Sequence, residues 1–236
     1  MRFRAKPIGA ILAGGPGLRI GGEKATVALQ GKPLIAYPVE AVRPVLSRVA
    51  ILAKTGTRLP ALSGVAVWIE PEVPCHPLAG ITHALALAGG RPVLVCACDM
   101  PFVSPQLIRR LIKADPGRAP AVVACARGAM HPLLGCYQPR ALEVLSAAAR
   151  EGTAPLVETI AATDPVQLEV DEPEELFDVD TPDDLLQAAA MLDQRRAVAP
   201  PAYEGAPAYP PGSLRYPNVK SYALTPGGSW TVKVNC

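Results

Sequence analysis

The stretch that decides the fold runs from Ile8 to Lys24, IGAILAGGPGLRIGGEK. Ile8, Ala10, Ile11 and Leu12 form a short apolar run that breaks into a glycine-rich, basic loop and then a helix-compatible segment. An apolar run of that length ahead of a glycine cluster reads as a buried strand of a parallel sheet. In such sheets ligands sit beyond the carboxyl ends of the strands, where this loop falls. Gly14, Gly15, Gly17, Gly21 and Gly22 lack a Cβ, so the backbone can approach a phosphate closely. Successive backbone N–H groups there form an anion cradle. Arg19 adds a planar fork of donors and Lys24 a compact positive charge. The pattern predicts a polyphosphate-binding loop, against the plainer alternative of a glycine-rich turn with two solvated cations.

Two familiar phosphate motifs fail here. A Walker A loop needs Gly-Lys followed by Ser or Thr, but Lys24 lies between Glu23 and Ala25. A dinucleotide fingerprint needs a third glycine, and Gly15-Pro16-Gly17-Leu18-Arg19-Ile20 lacks it.

Working outward, 236 residues suffice for one α/β domain with a full core. A formal net charge of +2 argues against a protein whose main task is binding nucleic acid. No apolar run approaches the ~20 residues of a membrane span, and the N-terminal MRFRAKPIGAILAGG reads as a first strand, not a leader. A cytoplasmic protein is expected. Cys96 and Cys98 share one face of a strand-like run, and no second Cys or His pair stands at zinc spacing. The six cysteines therefore read as buried free thiols.

Further strands are expected at Arg48–Ala53, Val65–Ile69, Pro92–Cys98, Ala121–Ala126, Leu133–Tyr137 and Val166–Val170, with a last short one at Leu176–Asp180. Helices are expected from Pro33 to about Val45, over Ile81–Ala88, from about Pro105 to Lys113 behind a Ser104 cap, and over Ala141–Arg150. Thr181-Pro182-Asp183-Asp184 opens a helix to about Arg195, with a cap, a first-turn proline and first-turn acids in agreement. This alternation predicts an α/β/α sandwich, Rossmann-like, with a mostly parallel sheet. The expected division is a domain over residues 1–195 and a Pro/Gly/Tyr-rich tail over 196–236, extended or disordered, whose closing SWTVKVNC alternates like an edge strand.

Asp99 ends the fourth strand and so faces the same crevice as the glycine loop. Hard oxygen donors favour Mg²⁺, so Asp99 is a candidate metal ligand, or else a turn residue. Asp178 and Asp180, two apart at a strand end, point the same way and present a second pair of carboxylates. Asp183 and Asp184 are assigned to helix capping and the helix dipole. His76, His83 and His131 read as loop or core histidines, although His131 lies where it could touch an acceptor.

Several pieces occur in one order: LAGG at Leu12–Gly15, Arg19, Gly21-Gly22-Glu23-Lys24, Gly31-Lys32-Pro33-Leu34, PLAG at Pro77–Gly80, CDMP at Cys98–Pro101 and DVDTPDDL at Asp178–Leu185. Over residues 8 to about 192 the chain resembles the molybdenum cofactor guanylyltransferases of the MobA-like nucleotidyltransferase group. Related cytidylyltransferases carry Leu-Ala-Ala-Gly, so Gly14-Gly15 and PLAG imply GTP. The resemblance implies transfer of GMP from GTP onto molybdopterin-bound molybdenum, with release of pyrophosphate. Arg19, Lys24 and Asp99 would be catalytic. Leu12, Ala13, Gly14, Gly15, Arg19, Lys24, Leu78, Ala79, Gly80 and Asp99 would bind the nucleotide, with Mg²⁺ on Asp99 and Asp180. Implied partners are GTP, a molybdopterin-type acceptor and molybdoenzyme or cofactor-biosynthesis proteins, with neither nucleic acid nor membrane. The chain departs from the family at Leu52-Ala53-Lys54, Glu70-Pro71-Glu72 and Thr153-Ala154-Pro155, and has Asp178-x-Asp180 for Asn-x-Asn. A cytidylyl- or sugar-phosphate nucleotidyltransferase and a non-catalytic nucleotide- or pterin-binding chaperone are the alternatives.

Overall fold

The structure is a computed structural model that describes residues 5–15, 20, 24–73, 76–151, 155–198, 219–224 and 230–234. The apolar run at the start of the chain is β1 (Ile8–Leu12), and β4 (Val49–Ala53) and β6 (Val93–Ala97) pair with it in parallel on either side. All three are apolar on both faces, as strands covered by helices must be. With β5 (Ala66–Ile69), β7 (Ala121–Ala126), β8 (Ala129–Tyr137) and β9 (Val166–Glu169) they make a seven-stranded sheet in the order β5-β4-β1-β6-β8-β7-β9. Only β8 runs antiparallel to its neighbours in this sheet. The strand order turns back between β1 and β6, so the crevice for a ligand opens beyond the carboxyl ends of these two.

Side chains leave β1 alternately. Ile11 joins a core with α1 (Ala36–Val42) and α3 (Pro105–Lys113). Ile8 and Ala10 join one with α2 (Pro77–Leu87), α4 (Ala141–Glu151) and α5 (Leu156–Ala161). Helices therefore cover both faces, the expected three-layer α/β/α arrangement. A third cluster, with Leu29, Leu34, Phe102, Val179 and Ala188, packs the last helix α6 (Pro182–Val198) against the small hairpin of β2 (Ala28–Leu29) and β3 (Lys32–Pro33). Gln30, at that hairpin's turn, donates through Nε2 to Ala189 O at 2.9 Å and Asp193 Oδ1 at 2.7 Å. The chain divides into two units, Met1–Arg196 and Ala197–Cys236. In the second, β10 (Val219–Leu224) pairs antiparallel with β11 (Trp230–Val234), which falls in the alternating SWTVKVNC stretch. No helix among the described residues is long and apolar enough to cross a membrane.

The elements depart from expectation in several places, among them α5, for which no helix is expected from the sequence. Pro33 is in β3, and α1 begins only at Ala36, so Pro38 sits in its first turn, where no helical partner is lost. PLAG is the first turn of α2, not a lead-in to it. No strand forms at Leu176–Asp180: Pro173–Leu176 is a 3₁₀ turn, and Val179 N–H reaches the Asp99 carbonyl at 2.9 Å in a single bond. β8 starts four residues earlier than expected, after a two-residue turn of Arg127 and Gly128 with φ of 52° and 76°.

The expected caps form. Ser104 Oγ accepts from Leu107 N–H at 3.1 Å. At α6 the Asp184 carboxylate accepts from the N–H groups of Asp180 (3.1 Å) and Thr181 (2.8 Å) and from the Thr181 hydroxyl (2.8 Å), while Asp184 N–H donates to Thr181 Oγ1 at 3.2 Å. This is a reciprocal capping box closed by an acid at its third position. Those hydrogen bonds, the Thr181 hydroxyl first, hold the Asp184 carboxyl below the usual carboxylate range. A depressed folded-state pKa gives stability that is present above the unfolded value and lost as pH falls through the folded one. Asp184→Ala is therefore expected to cost about 1 kcal/mol at pH 7. Urea unfolding of both proteins should show that difference shrinking below about pH 4.

Candidate active site

The end of β1 is pinned from both sides. Ala13 N–H donates to Leu52 O at 2.8 Å, and Leu12 O accepts from Cys98 N–H at 3.1 Å. The chain leaves the sheet at its switch point with β4 on one side and β6 on the other. Gly14 follows with no room for a side chain: a Cβ there would collide with Glu70 Oε1. A Cβ on Gly80 would run into Leu12 Cδ2 and stand 3.1 Å from Glu70 Oε2. The two glycine-bearing tetrapeptides, LAGG and PLAG, thus meet around the Glu70 carboxylate just past the end of β5. Gly15 is exposed, with nothing within 4 Å of where its Cβ would be.

His76 caps α2, its Nδ1 accepting from Leu78 N–H at 3.0 Å. Leu78 is buried in the core, so its side chain packs and its N–H is already used. His83 Nε2 lies 3.0 Å from Ile69 O, and a carbonyl partner makes that nitrogen the donor. Each histidine thus has one ring nitrogen engaged by the backbone.

Lys24 opens a 3₁₀ turn, Lys24–Thr26, that buried Ala25 anchors in the core. Its ammonium donates to Asp99 Oδ2 at 2.7 Å and also to Asp180 Oδ1. These carboxylates lie 75 and 156 positions further along the chain. The lysine and Asp99 side chains are only 17% and 15% exposed, against 44% for Asp180. Burial alone would lower the Lys24 pKa, but Asp99 and Asp180 together outweigh it and raise it above the ordinary lysine value. The ammonium is locked in its charged form.

Asp178 sits among the same charges. Burial first, then repulsion from Asp99 and Asp180, push its carboxyl above the usual range. Burial lowers the His131 pKa, and Asp178 partly offsets it. Glu70 is raised mainly by burial, with Lys54 and His83 opposing. Cys96 and Cys98 are buried free thiols pushed well up by burial, so they are inert side chains of the core.

The structure thus brings Lys24, Asp99 and Asp180 to one point, with Leu12–Gly15 at the neighbouring strand end and Gly80 in the first turn of α2. Arg19 lies outside the described residues. From the sequence alone Glu70 has no role in the site, and His131 reads as a loop or core histidine that could touch an acceptor. Glu70 directly follows a strand predicted to end at Ile69, which was signal enough. His131 owes its place to an irregularity in β8 that no pattern announces.

A glycine loop, a buried lysine and converging carboxylates at the switch point of a mostly parallel sheet define a nucleotide-handling α/β enzyme. The MobA-like NTP transferase domain model matches residues 9–166, and the chain belongs to that family of nucleotidyltransferases. It is 34% identical over 188 residues to a molybdenum cofactor guanylyltransferase from Cereibacter sphaeroides, covering 78% of this chain and 96% of that one. A probable molybdenum cofactor guanylyltransferase from Thermococcus gammatolerans is 30% identical over 188 residues, covering 75% and 96%. Among solved structures, the molybdopterin-guanine dinucleotide biosynthesis protein A of Archaeoglobus fulgidus superposes with a TM-score of 0.66 at 28% identity, over 79% of this chain and 98% of that one. The 2-C-methyl-D-erythritol 4-phosphate cytidylyltransferase of Thermus thermophilus shares the fold at TM-score 0.60 and 20% identity, over 79% and 99%.

Removing the cation tests the geometry directly. Lys24→Met leaves Asp99 and Asp180 facing each other unneutralised. The expected loss at pH 7 is on the order of 2 kcal/mol, below the ~3–5 of a fully buried pair because Asp180 is partly solvated. The Lys24 pKa is raised by folding, so its contribution is present at neutral pH and is lost only as pH rises past the ordinary lysine range. Urea unfolding of the two proteins at pH 7 measures the difference.

Proposed function

We propose that this nucleotidyltransferase moves GMP from GTP onto a molybdopterin-type acceptor that carries molybdenum, with release of pyrophosphate. The observation that carries this reading is the convergence of Lys24, Asp99 and Asp180 beside the glycine loop. An acceptor phosphate oxygen attacks the α-phosphorus. A new P–O bond forms, the bond from that phosphorus to the bridging oxygen of the β-phosphate breaks, and its electron pair leaves with pyrophosphate. Both partners are anions, so alignment and charge neutralisation are most of the catalytic task. The acceptor phosphate is already ionised at neutral pH and needs no general base. Backbone N–H groups of Gly14 and Gly15, with Lys24 and Arg19, supply positive character toward the triphosphate, while that of Ala13 is spent on Leu52 O.

The family resemblance implies Mg²⁺, and the residues suit it. Two carboxylates share a single nitrogen of Lys24, and a third, Asp178, is repelled by both. Three acids facing one ammonium leave the crevice negative before any phosphate enters, which favours a hard dication. No group of three or more His, Cys, Asp or Glu side chains is arranged to hold a metal among the described residues. Mg²⁺ typically takes one or two carboxylates and completes its shell with water and substrate phosphates, which this set matches. Asp99 and Asp180 would hold the ion, which would supply neutralisation of the phosphate charge.

Glu70 supports guanine. Its carboxylate only accepts hydrogen bonds, and it has no hydrogen-bond donor among the described residues. Guanine offers N1–H and a 2-amino group on one edge, whereas cytosine offers the N3 acceptor between its donor and its carbonyl. Pyrophosphate release with GTP, CTP and UTP, with and without molybdopterin, is expected only for GTP plus the acceptor. Turnover with CTP instead would overturn the assignment. Asp99→Ala should lower it by about a hundredfold or more with the far-UV spectrum intact. Glu70→Gln should reduce the preference for GTP over CTP by on the order of tenfold.

A further inference from the structure

The one strand that opposes the others brings an unassigned side chain to the crevice. Along β7 and β8, Val123 faces Gly135 but Ala124 faces His131. One step on β7 therefore matches four on β8, and Pro132, Leu133 and Leu134 bulge without β7 partners. The bulge is held from inside: the buried Tyr137 hydroxyl donates to Pro132 O at 2.6 Å. Gly135 lets the strands close again, since a Cβ there would lie 2.9 Å from both Val122 O and Val123 Cγ1. Such bulges commonly re-aim a side chain beside an active site.

β8 enters the sheet from the crevice side. Leu134 pairs with Cys96 near the end of β6, so the residues before Leu134 run alongside Ala97, Cys98 and Asp99. His131 is there half-buried, and the Asp178 charge acts on it, partly offsetting the effect of burial. Asp178 is itself fixed by its neighbour Val179, whose N–H is bonded to the Asp99 carbonyl. Among the described residues the His131 ring has no hydrogen-bond partner. A structural histidine of this depth normally uses its nitrogens, as His76 and His83 do.

The two halves of the crevice then differ in chemistry. Leu12–Gly15, Gly80 and Glu70 lie on the β1-β4-β5 side, and His131 with Asp178 lies across β6. An in-line displacement needs the nucleophile to approach opposite the leaving pyrophosphate. We propose that His131 binds the phosphate of the acceptor on the β8 side of Asp99 and aims it at the nucleotide. This assignment rests on the nucleotidyl-transfer reading above. An imidazole N–H is a fitting donor to a phosphate oxygen in a crevice whose carboxylates repel one.

Steady-state kinetics of the full chain with GTP and molybdopterin test it, with GTP affinity measured separately by calorimetry. His131→Ala is expected to raise the acceptor KM by on the order of tenfold. The KM and affinity for GTP should stay within about twofold, a split that a merely structural role would not produce. His131→Gln keeps a neutral N–H donor and should recover most of the loss, and it serves also if the alanine variant folds poorly. An unchanged acceptor KM in both variants overturns the assignment, as does an equal loss toward GTP and acceptor. Wild-type protein that binds GTP but releases no pyrophosphate with any acceptor overturns the underlying reaction, and this proposal with it.

Discussion

Everything in the crevice depends on the Lys24 ammonium lying between two carboxylates that belong to other parts of the chain. Asp99 comes from the end of a central strand and Asp180 from the segment ahead of the last helix. Brought together alone they would repel. The lysine makes their proximity favourable, and its partial burial makes the contact stronger than a solvated pair. The packing around it is arranged to that end. The β2–β3 hairpin directly after Lys24 is the surface on which α6 rests, through Leu29, Leu34, Val179 and Ala188. Phe102 joins the same cluster, lies edge-on to Phe177 at 6.0 Å and carries the Arg195 guanidinium over its face at 4.7 Å. The lysine's own loop therefore docks the helix whose start supplies its second carboxylate.

A second constraint is steric. Glycine at positions 14 and 80 is explained here less by backbone freedom than by what lies against it. Both α-carbons lie against the Glu70 carboxylate: a side chain at Gly14 would displace it, and one at Gly80 would collide with Leu12 and crowd it. The two motifs that a reader separates by more than sixty positions are two walls of one slot. Glu70 reaches it because β5 pairs in register with β4 up to Ile69 with Ala53, and the Glu70 N–H then bonds the Ala53 carbonyl at 2.9 Å. The same edge position leaves Val67 and Ile69 half exposed, at 50% and 54%, on the short outermost strand.

The class of fold and the nucleotide side of the site were legible because their signals are local. A doubly covered strand must be continuously apolar, as β1, β4 and β6 are, and a strand end in such a sheet has one possible destination. Caps were legible for the same reason: Ser104 and Thr181 with Asp184 are short-range chemistry. What escaped was decided at long range. Leu176–Asp180 has the composition of a strand, but the antiparallel β8 already occupies the neighbouring edge of β6, so only Val179 bonds beyond the sheet. Pro33 suits a helix start, yet its predecessor Lys32 is drawn into a hairpin whose turn puts both Gln30 and Gly31 at positive φ. Arg127 at φ 52° gives no advance notice that Ala129–Pro132 belongs to a strand.

The reversed strand completes the logic of the site. In a sheet of parallel strands every side chain at the crevice is delivered by a chain leaving the sheet, and each departing loop must be closed by a helix before the next strand begins. β8 follows β7 through a two-residue turn and so arrives at the crevice from outside, without a helix. It can therefore lie directly against β6, the strand that carries Asp99, on the side that β1 does not occupy. Glycine loop and reversed strand thus flank the same aspartate from opposite directions. A site that must hold two anionic molecules on either side of one phosphorus needs that two-sidedness, and a purely parallel sheet would supply it only by lengthening its loops.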